Sequence, residues 1–171
     1  MSGGRELTVR RVEPADRPWL HEALDARWGG PWQAYGGELV DAAGADGFVA
    51  LDPAGCRAGF LLQRSIATGQ EIVVLEALVP GEGVGTALVE ACVAAARAAG
   101  VTRLTVVTTN DNLRALGFYQ RRDFRLAALR PGAVDAARRD LKPEIPETGE
   151  DGLPIRDEIV LERDVSKDPG R

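Results

Sequence analysis

The sequence predicts an α/β chain of the α+β type: a central mixed, mostly antiparallel sheet of about six to seven strands with helices on both faces. Three observations carry this expectation. Short strand-like runs at Gly47–Leu51 and Ala58–Gln63, bounded by turn-forming residues, lead into the central strand as an antiparallel meander. From Glu71 to Gly100 an apolar run gives way to a glycine turn and then to helical spacing. From Thr105 to Phe124 a second β-branched run is again followed by helical spacing, so strand–helix–strand–helix succeeds the meander.

Leu7, Val9 and Val12 mark the first strand, and Pro14-Ala15-Asp16 opens a helix through Leu20, Ala23 and Leu24. The stretch from Trp28 to Gly37 reads as a loop. Its rings, Trp28, Trp32 and Tyr35, serve either as a lid over an amine pocket or as packing across the sheet edge. Gly47–Leu51 and Ala58–Gln63 are strands around an Asp52-Pro53-Ala54-Gly55 turn. Ala67–Gln70 turns into the central strand, Ile72 to Val79, which Pro80 stops. Val84, Leu88, Ala91, Cys92 and Ala95 then repeat at three- and four-residue spacings to Gly100. Thr105–Thr109 is the next strand, with Asn110-Asp111 as cap candidates for a helix through Tyr119. Gly117 inside that helix costs about 1 kcal/mol relative to Ala. Leu126–Leu129 is a strand, Ala133–Leu141 a short helix, 142–154 a surface excursion, and Ile159, Leu161 and Val165 a last strand. Residues 1–5 and 166–171 read as loose ends of a single domain spanning 1–171.

A formal net charge of −5 argues against nucleic acid, whose phosphates call for a basic face. No apolar run reaches the ~20 residues of a membrane span, and no signal-peptide core follows the first residues. Membrane partners are therefore not expected, and the cytoplasm is the default compartment. Cys56 and Cys92 lack metal-ligand spacing, and Cys92 on the apolar helix face reads as a reduced core thiol. His21, the single histidine, has no partners for a metal site or a triad; no metal is expected.

Pro80 to Thr86 carries the chemistry. A strand, a glycine turn and a helix bring unpaired amides and a positive dipole end against a phosphate. Gly81, Gly83 and Gly85 keep side chains out of the anion's way and permit φ > 0. No Lys follows Gly85, so a P-loop is excluded, and neither glycine pair has a third small residue at dinucleotide spacing.

The turn resembles the acyl-CoA loop of the GNAT superfamily of N-acetyltransferases, Arg/Gln-x-x-Gly-x-Gly/Ala, with Gly83 and Gly85 matching and Pro80 at the Arg/Gln position. A second motif, Asn-x-x-Ala-x-x-Phe-Tyr-x-x-x-Gly-Phe, is matched by Asn112, Ala115, Phe118, Tyr119 and Phe124. Asp123 stands at the glycine, where a left-handed residue is expected. The resemblance implies the GNAT fold, acetyl-CoA as acyl donor, and direct transfer to a small-molecule or peptide primary amine. It also allows a homodimer. It places the coenzyme beside Leu78 and Val79, its diphosphate on Gly81, Glu82, Gly83, Val84, Gly85 and Thr86, and its pantetheine near Asn112, with Asn110 a second candidate. It makes Tyr119 the acid for the leaving thiolate and puts the base on the central strand.

Glu71 and Glu76 compete for that base. Their opposite parity sends them to opposite faces of a regular strand unless a bulge intervenes. Glu71 at the strand's entrance is slightly favoured; Glu76 sits inside an apolar run, where burial would raise its pKa and suit base work, the plainer alternative being a splayed, partly solvated position. The alternative reading is a catalytically silent acyl-CoA sensor or partner-regulating module of the same fold. A nucleotide-phosphate binder is a third.

Overall fold

The computed structural model describes residues 6–166. Of the ends expected to be loose, 1–5 and 166–171, all but Ser166 lie outside them; Ser166 donates through its amide to Asp164 Oδ1 at 2.9 Å. The elements are β1 (Thr8–Arg11), a 3₁₀ turn (Pro14–Asp16), α1 (Arg17–Trp28), β2 (Trp32–Tyr35), β3 (Glu38–Asp41), β4 (Asp46–Leu51), β5 (Arg57–Ile66), β6 (Gly69–Ala77), α2 (Val84–Ala98), β7 (Arg103–Thr109), α3 (Leu113–Gln120), β8 (Arg125–Arg130), α4 (Ala133–Asp140) and β9 (Glu158–Asp164). Seven strands form one sheet in the order β1-β4-β5-β6-β7-β9-β8. Only β6 and β7 pair in parallel; the other sheet pairs are antiparallel.

Helices cover both faces, as expected. On one face α2 and α3 bury Leu88, Cys92, Tyr119 and Phe124 against Leu61, Ile72, Val106 and Leu161. On the other, α1 and the β2–β3 ribbon bury Leu20, Leu24 and Val40 against Phe60, Leu62, Val73 and Val74.

The segment read as a loop at 28–37 is instead half of a hairpin. Trp32 to Tyr35 pair with Asp41 to Glu38, and Gly36 and Gly37 turn the chain with φ of 61° and 84°. Two successive positive φ angles are what a tight hairpin of right-handed twist requires, and glycine supplies them without strain.

Two irregularities in β6 place everything that follows. Its pairing with β7 covers three residues, Gln70↔Leu104 to Ile72↔Val106. Beyond them β6 stays on β5 as far as Gly59↔Ala77, and β7 stays on β9 as far as Thr109↔Glu158. Each strand follows its outer neighbour, so the two part. The β5–β6 register also slips: Leu62 faces Val74 while Gln63 faces Ile72, leaving Val73 as a bulge. Val73 and Val74 therefore pack on the same α1 face, and the parity of every later side chain is reversed.

The start of α1 is tied to the sheet by the fully buried Asp16. Its carboxylate accepts from Arg10 Nη1 at 2.6 Å and Nη2 at 3.0 Å, from the Glu13 amide at 2.9 Å, and from Arg57 Nε and Nη2 at 3.1 and 3.0 Å. The hydrogen bonds from Arg10 hold this carboxyl well below the usual range, against the opposing pull of burial. Asp16→Asn should lower stability by about 2–4 kcal/mol, seen as a lower urea midpoint at unchanged slope. A depressed folded pKa contributes stability above the unfolded pKa of ~3.9 and loses it as pH falls through the folded value. The gap between wild type and variant should thus be constant above about pH 5 and shrink in acid.

Candidate active site

The parting of β6 and β7 opens a cleft of about 880 Å³. The Gly81–Thr86 turn closes one end, α3 one side, and Arg27, Trp28 and Tyr35 the far wall. Antiparallel pairing dictates what β6 shows it. The Leu78 amide donates to Ala58 O at 2.8 Å, so peptide groups at alternate positions from there turn toward β5 and those of Leu75, Ala77 and Val79 turn into the gap.

Gly81 and Gly83 have φ of 81° and 78°, and a Cβ on either meets nothing within 4 Å. The turn thus presents open space before it, as an anion site requires. Gly85 has a different reason. It lies in α2, and a Cβ there meets the Phe118 ring at 3.1 Å; the third glycine seats α3 against α2. Gly59 does likewise from below, where a Cβ would fall 2.5 Å from Glu76 O and 2.6 Å from Val84 Cγ1. The first hydrogen bond of α2 runs from Ala87 N to Gly83 O, so the preceding amides, through Thr86, are free of intrahelical partners.

Tyr119 is 6% exposed, wedged edge-on against Phe118 and Phe124 at ring distances of 5.2 and 5.3 Å. Its ring lines the cleft, and no hydrogen bond to its hydroxyl is made by the described residues. Burial, with the nearby Tyr35, raises its pKa above the ordinary phenol value. Tyr35, from the hairpin, lines the cleft too; burial, then Glu71 and Glu158, raises its pKa likewise. Asp123, at the motif's glycine position, has φ of 64°, the left-handed conformation expected there.

The two carboxylates depart from expectation, and the bulge and the parting explain how. Because Val73 is extra, Glu71 and Glu76 lie on the same face. Glu71 sits where β6 is still flanked by β7 and is 6% exposed. It accepts from Arg64 Nε at 2.6 Å, and Arg64 also reaches Glu38 at 2.7 Å. Glu71 does not line the cleft. Glu76 lies beyond the parting and forms the cleft wall, with its side chain 18% exposed, the partly solvated one of its two expected positions. It accepts from Trp28 Nε1 at 2.9 Å and Arg27 Nη1 at 3.2 Å.

Other residues singled out in the sequence fall elsewhere. Leu78 is turned to β5 and does not line the cleft, whereas Val79 does. Asn110 is used within the chain, donating to Pro154 O at 2.8 Å and accepting from the Arg156 and Asp157 amides. Asn112 caps α3 by accepting from Ala115 N at 3.0 Å and borders the cleft with its amide nitrogen still available. Trp32 is 51% exposed and outside the cleft. Glu82, within the turn, is half-buried and does not line the cleft. Cys92 is a core thiol whose Sγ meets Gln63 Oε1 at 3.0 Å, and burial pushes its pKa up to about 12. His21 is exposed on α1. Among the described residues no group of three His, Cys, Asp or Glu side chains could hold a metal ion, and no helix is long and apolar enough to cross a membrane.

Sequence reading missed four residues. Glu158, 2% exposed, accepts from the Gly36 amide at 3.1 Å and Arg130 at 2.9 Å and so fixes the hairpin tip. Lys142 Nζ donates to the carbonyls of Trp28 at 3.1 Å and Trp32 at 2.8 Å. Arg64 holds Glu71, and Arg122 reaches Thr86. None is a fixed position of a motif, Arg122 falling on a free position of the second; each is defined by its partners in the fold. At Gly117 a Cβ would fall 2.9 Å from Arg121 Nη1, the far end of an exposed side chain that can swing aside, so the structure gives no strong reason for glycine there.

The model of the Acetyltransferase (GNAT) family matches residues 14–124, well over half the chain and inclusive of both motifs. The chain belongs to the GNAT family. It is accordingly an acyltransferase. The uncharacterized protein YdhI of Bacillus subtilis (strain 168) is 39% identical over 144 residues, covering 84% of this chain and 89% of that protein. Among solved structures, a Bacillus subtilis acetyltransferase in complex with CoA matches with a TM-score of 0.67 and 18% identity, covering 93% of this chain and 99% of that one. A GNAT family acetyltransferase from Elizabethkingia anophelis with acetyl-CoA bound matches at 0.66 and 18%, covering 92% and 97%. At those identities the likeness is one of fold, and it includes the mixed sheet described above.

This GNAT chain has two tyrosines, and both face the cleft with raised pKa values. Phenolate absorbance in the native protein should therefore not appear at pH ~10, where the unfolded chain titrates. Between the unfolded and folded values the native state keeps protons that the unfolded chain has released, so stability should fall as pH rises past ~10. Tyr35→Phe and Tyr119→Phe should each reduce that alkaline loss.

Proposed function

We propose that the protein transfers an acetyl group from acetyl-CoA to a primary amine within a ternary complex in the β6–β7 cleft. The observation that carries this is the Tyr119 hydroxyl, unpartnered at the floor of a cleft bounded by a ring of free amides at one end and by Glu76 at the wall. The diphosphate sits on the Gly83–Thr86 amides, with the pantetheine arm along Val79 and the Asn112 amide. The thioester oxygen takes a hydrogen bond from an inward-turned β6 amide, Leu75 or Ala77, where negative charge develops on attack.

The amine arrives as an ammonium and must lose a proton before its nitrogen has a lone pair. Glu76, directly or through one water, takes it, with Arg27 and Trp28 keeping the carboxylate in place. Nitrogen bonds to the carbonyl carbon, the C–S bond breaks with its electron pair on sulfur, and the second nitrogen proton passes to that sulfur, leaving the amide and the free thiol of CoA. Tyr119, protonated throughout the physiological range, meets that sulfur as a hydrogen-bond donor. Glu71 is a structural member of the Arg64–Glu38 pairing, so Glu76 replaces it as the favoured base. The amine's identity is set by the α1–hairpin wall and the 142–157 excursion.

A thiol-release screen over amines, polyamines, aminoglycosides and peptide N-termini tests the reaction itself. Acetyl-CoA binding without turnover across that panel would favour the silent sensor instead. On a confirmed acceptor, Tyr119→Phe should lower kcat by roughly 10²–10³-fold with little change in the KM for acetyl-CoA. Glu76→Gln should depress kcat/KM and alter its acidic limb, while Glu71→Gln should act chiefly on stability. Equal activity of Glu76→Gln and wild type would remove Glu76 from the reaction.

A further inference from the structure

This inference rests on the acetyl-CoA reading above and concerns the donor's phosphate end. A diphosphate brings at least two negative charges, which amide dipoles offset only in part. The turn has no cation to complete the task. Between Leu78 and Ala87 the sole charged residue is Glu82, and the position where the motif carries Arg or Gln is Pro80.

A cation arrives from another element. Arg122 follows α3 by two residues, and its Nε lies 3.2 Å from Thr86 Oγ1, to which Nη2 also donates. Its Nη1 donates to Phe118 O at 2.8 Å, and the guanidinium carbon lies 3.6 Å from the centre of the Phe118 ring. Stacking and three hydrogen bonds thus fix the group at the third residue of α2, on the cleft side. Glu90, whose charge reaches it, is paired with Arg163 at 3.2 Å. Burial and the adjacent Arg121 both work against its charged form. A neutral side chain would tie α3 to α2 without that cost, so a positive charge held here calls for an anion. Thr86, accepting from Arg122, keeps its own hydroxyl proton for the same anion.

We propose that Arg122 is the cation of the diphosphate site, standing over the α2 amides in place of a cation in the glycine turn. It grips the donor from the α3 side, so the phosphate lies between two helices rather than within one loop.

Calorimetric titration of the full chain with acetyl-CoA and with S-acetylpantetheine, which lacks the diphosphate, tests this. Arg122→Met should weaken acetyl-CoA binding by about 10–100-fold and move the S-acetylpantetheine Kd by less than about threefold. Arg122→Gln, which keeps a hydrogen bond to Thr86 but no charge, should show the same selectivity and covers the case of a methionine variant that folds poorly. Added salt should weaken acetyl-CoA binding to wild type more steeply than to either variant. Equal losses on both ligands would show a mere packing tie, and no loss on either an idle residue; both overturn the proposal. Wild type that fails to bind acetyl-CoA would overturn the donor assignment itself, an outcome visible before any variant is made.

Discussion

The constraint on which this molecule depends is the short life of one strand pair. β6 and β7 share three residues of parallel ladder and then separate, because each remains bonded to its antiparallel outer neighbour. The peptide groups released on both inner edges cannot stay buried without partners. The chain answers by leaving them facing a cleft instead of filling the gap. Both helices that follow the parted strands, α2 and α3, deliver their first turns to this opening. The site is thus a product of sheet geometry before any side chain contributes.

Charge in and behind the cleft is arranged with similar economy. Glu71 is matched by Arg64, Glu158 by Arg130 and the Gly36 amide, and Glu76 by Arg27 and the Trp28 indole. Two neutral phenols stand between these pairs. A deeply buried carboxylate would lose much of its hydration, and pairing is what makes Glu71 and Glu158 tolerable so far inside. Glu76 differs in lying past the parting, where water reaches it. Burial, more than residue type, separates Glu71 from the acid proposed as the base.

Much of this was legible in the sequence. Strand, glycine turn and helix were readable because local periodicity and turn chemistry determine them, and Asn112, Tyr119 and Phe124 fell in register. The hairpin was missed although Gly36-Gly37 is a turn signal, because the surrounding rings drew attention to a pocket rather than to strand pairing. The relation between Glu71 and Glu76 was out of reach. It hangs on Val73, whose status as an extra residue exists only relative to β5. Asn110 read as a ligand contact because a strand-end amide suits one, yet its partners lie more than forty residues away. Arg122 and Glu158 were silent for the same reason: their meaning is tertiary.

One buried ammonium has a wider effect. Lys142 opens the C-terminal excursion and caps two carbonyls, one at the end of α1 and one at the start of the ribbon, at 7% exposure and with its basicity reduced by desolvation. It ties the C-terminal excursion to the α1–ribbon wall of the cleft. If the proposed acceptor site holds, its selectivity is a joint property of segments a hundred residues apart, and a change in one obliges the other to follow.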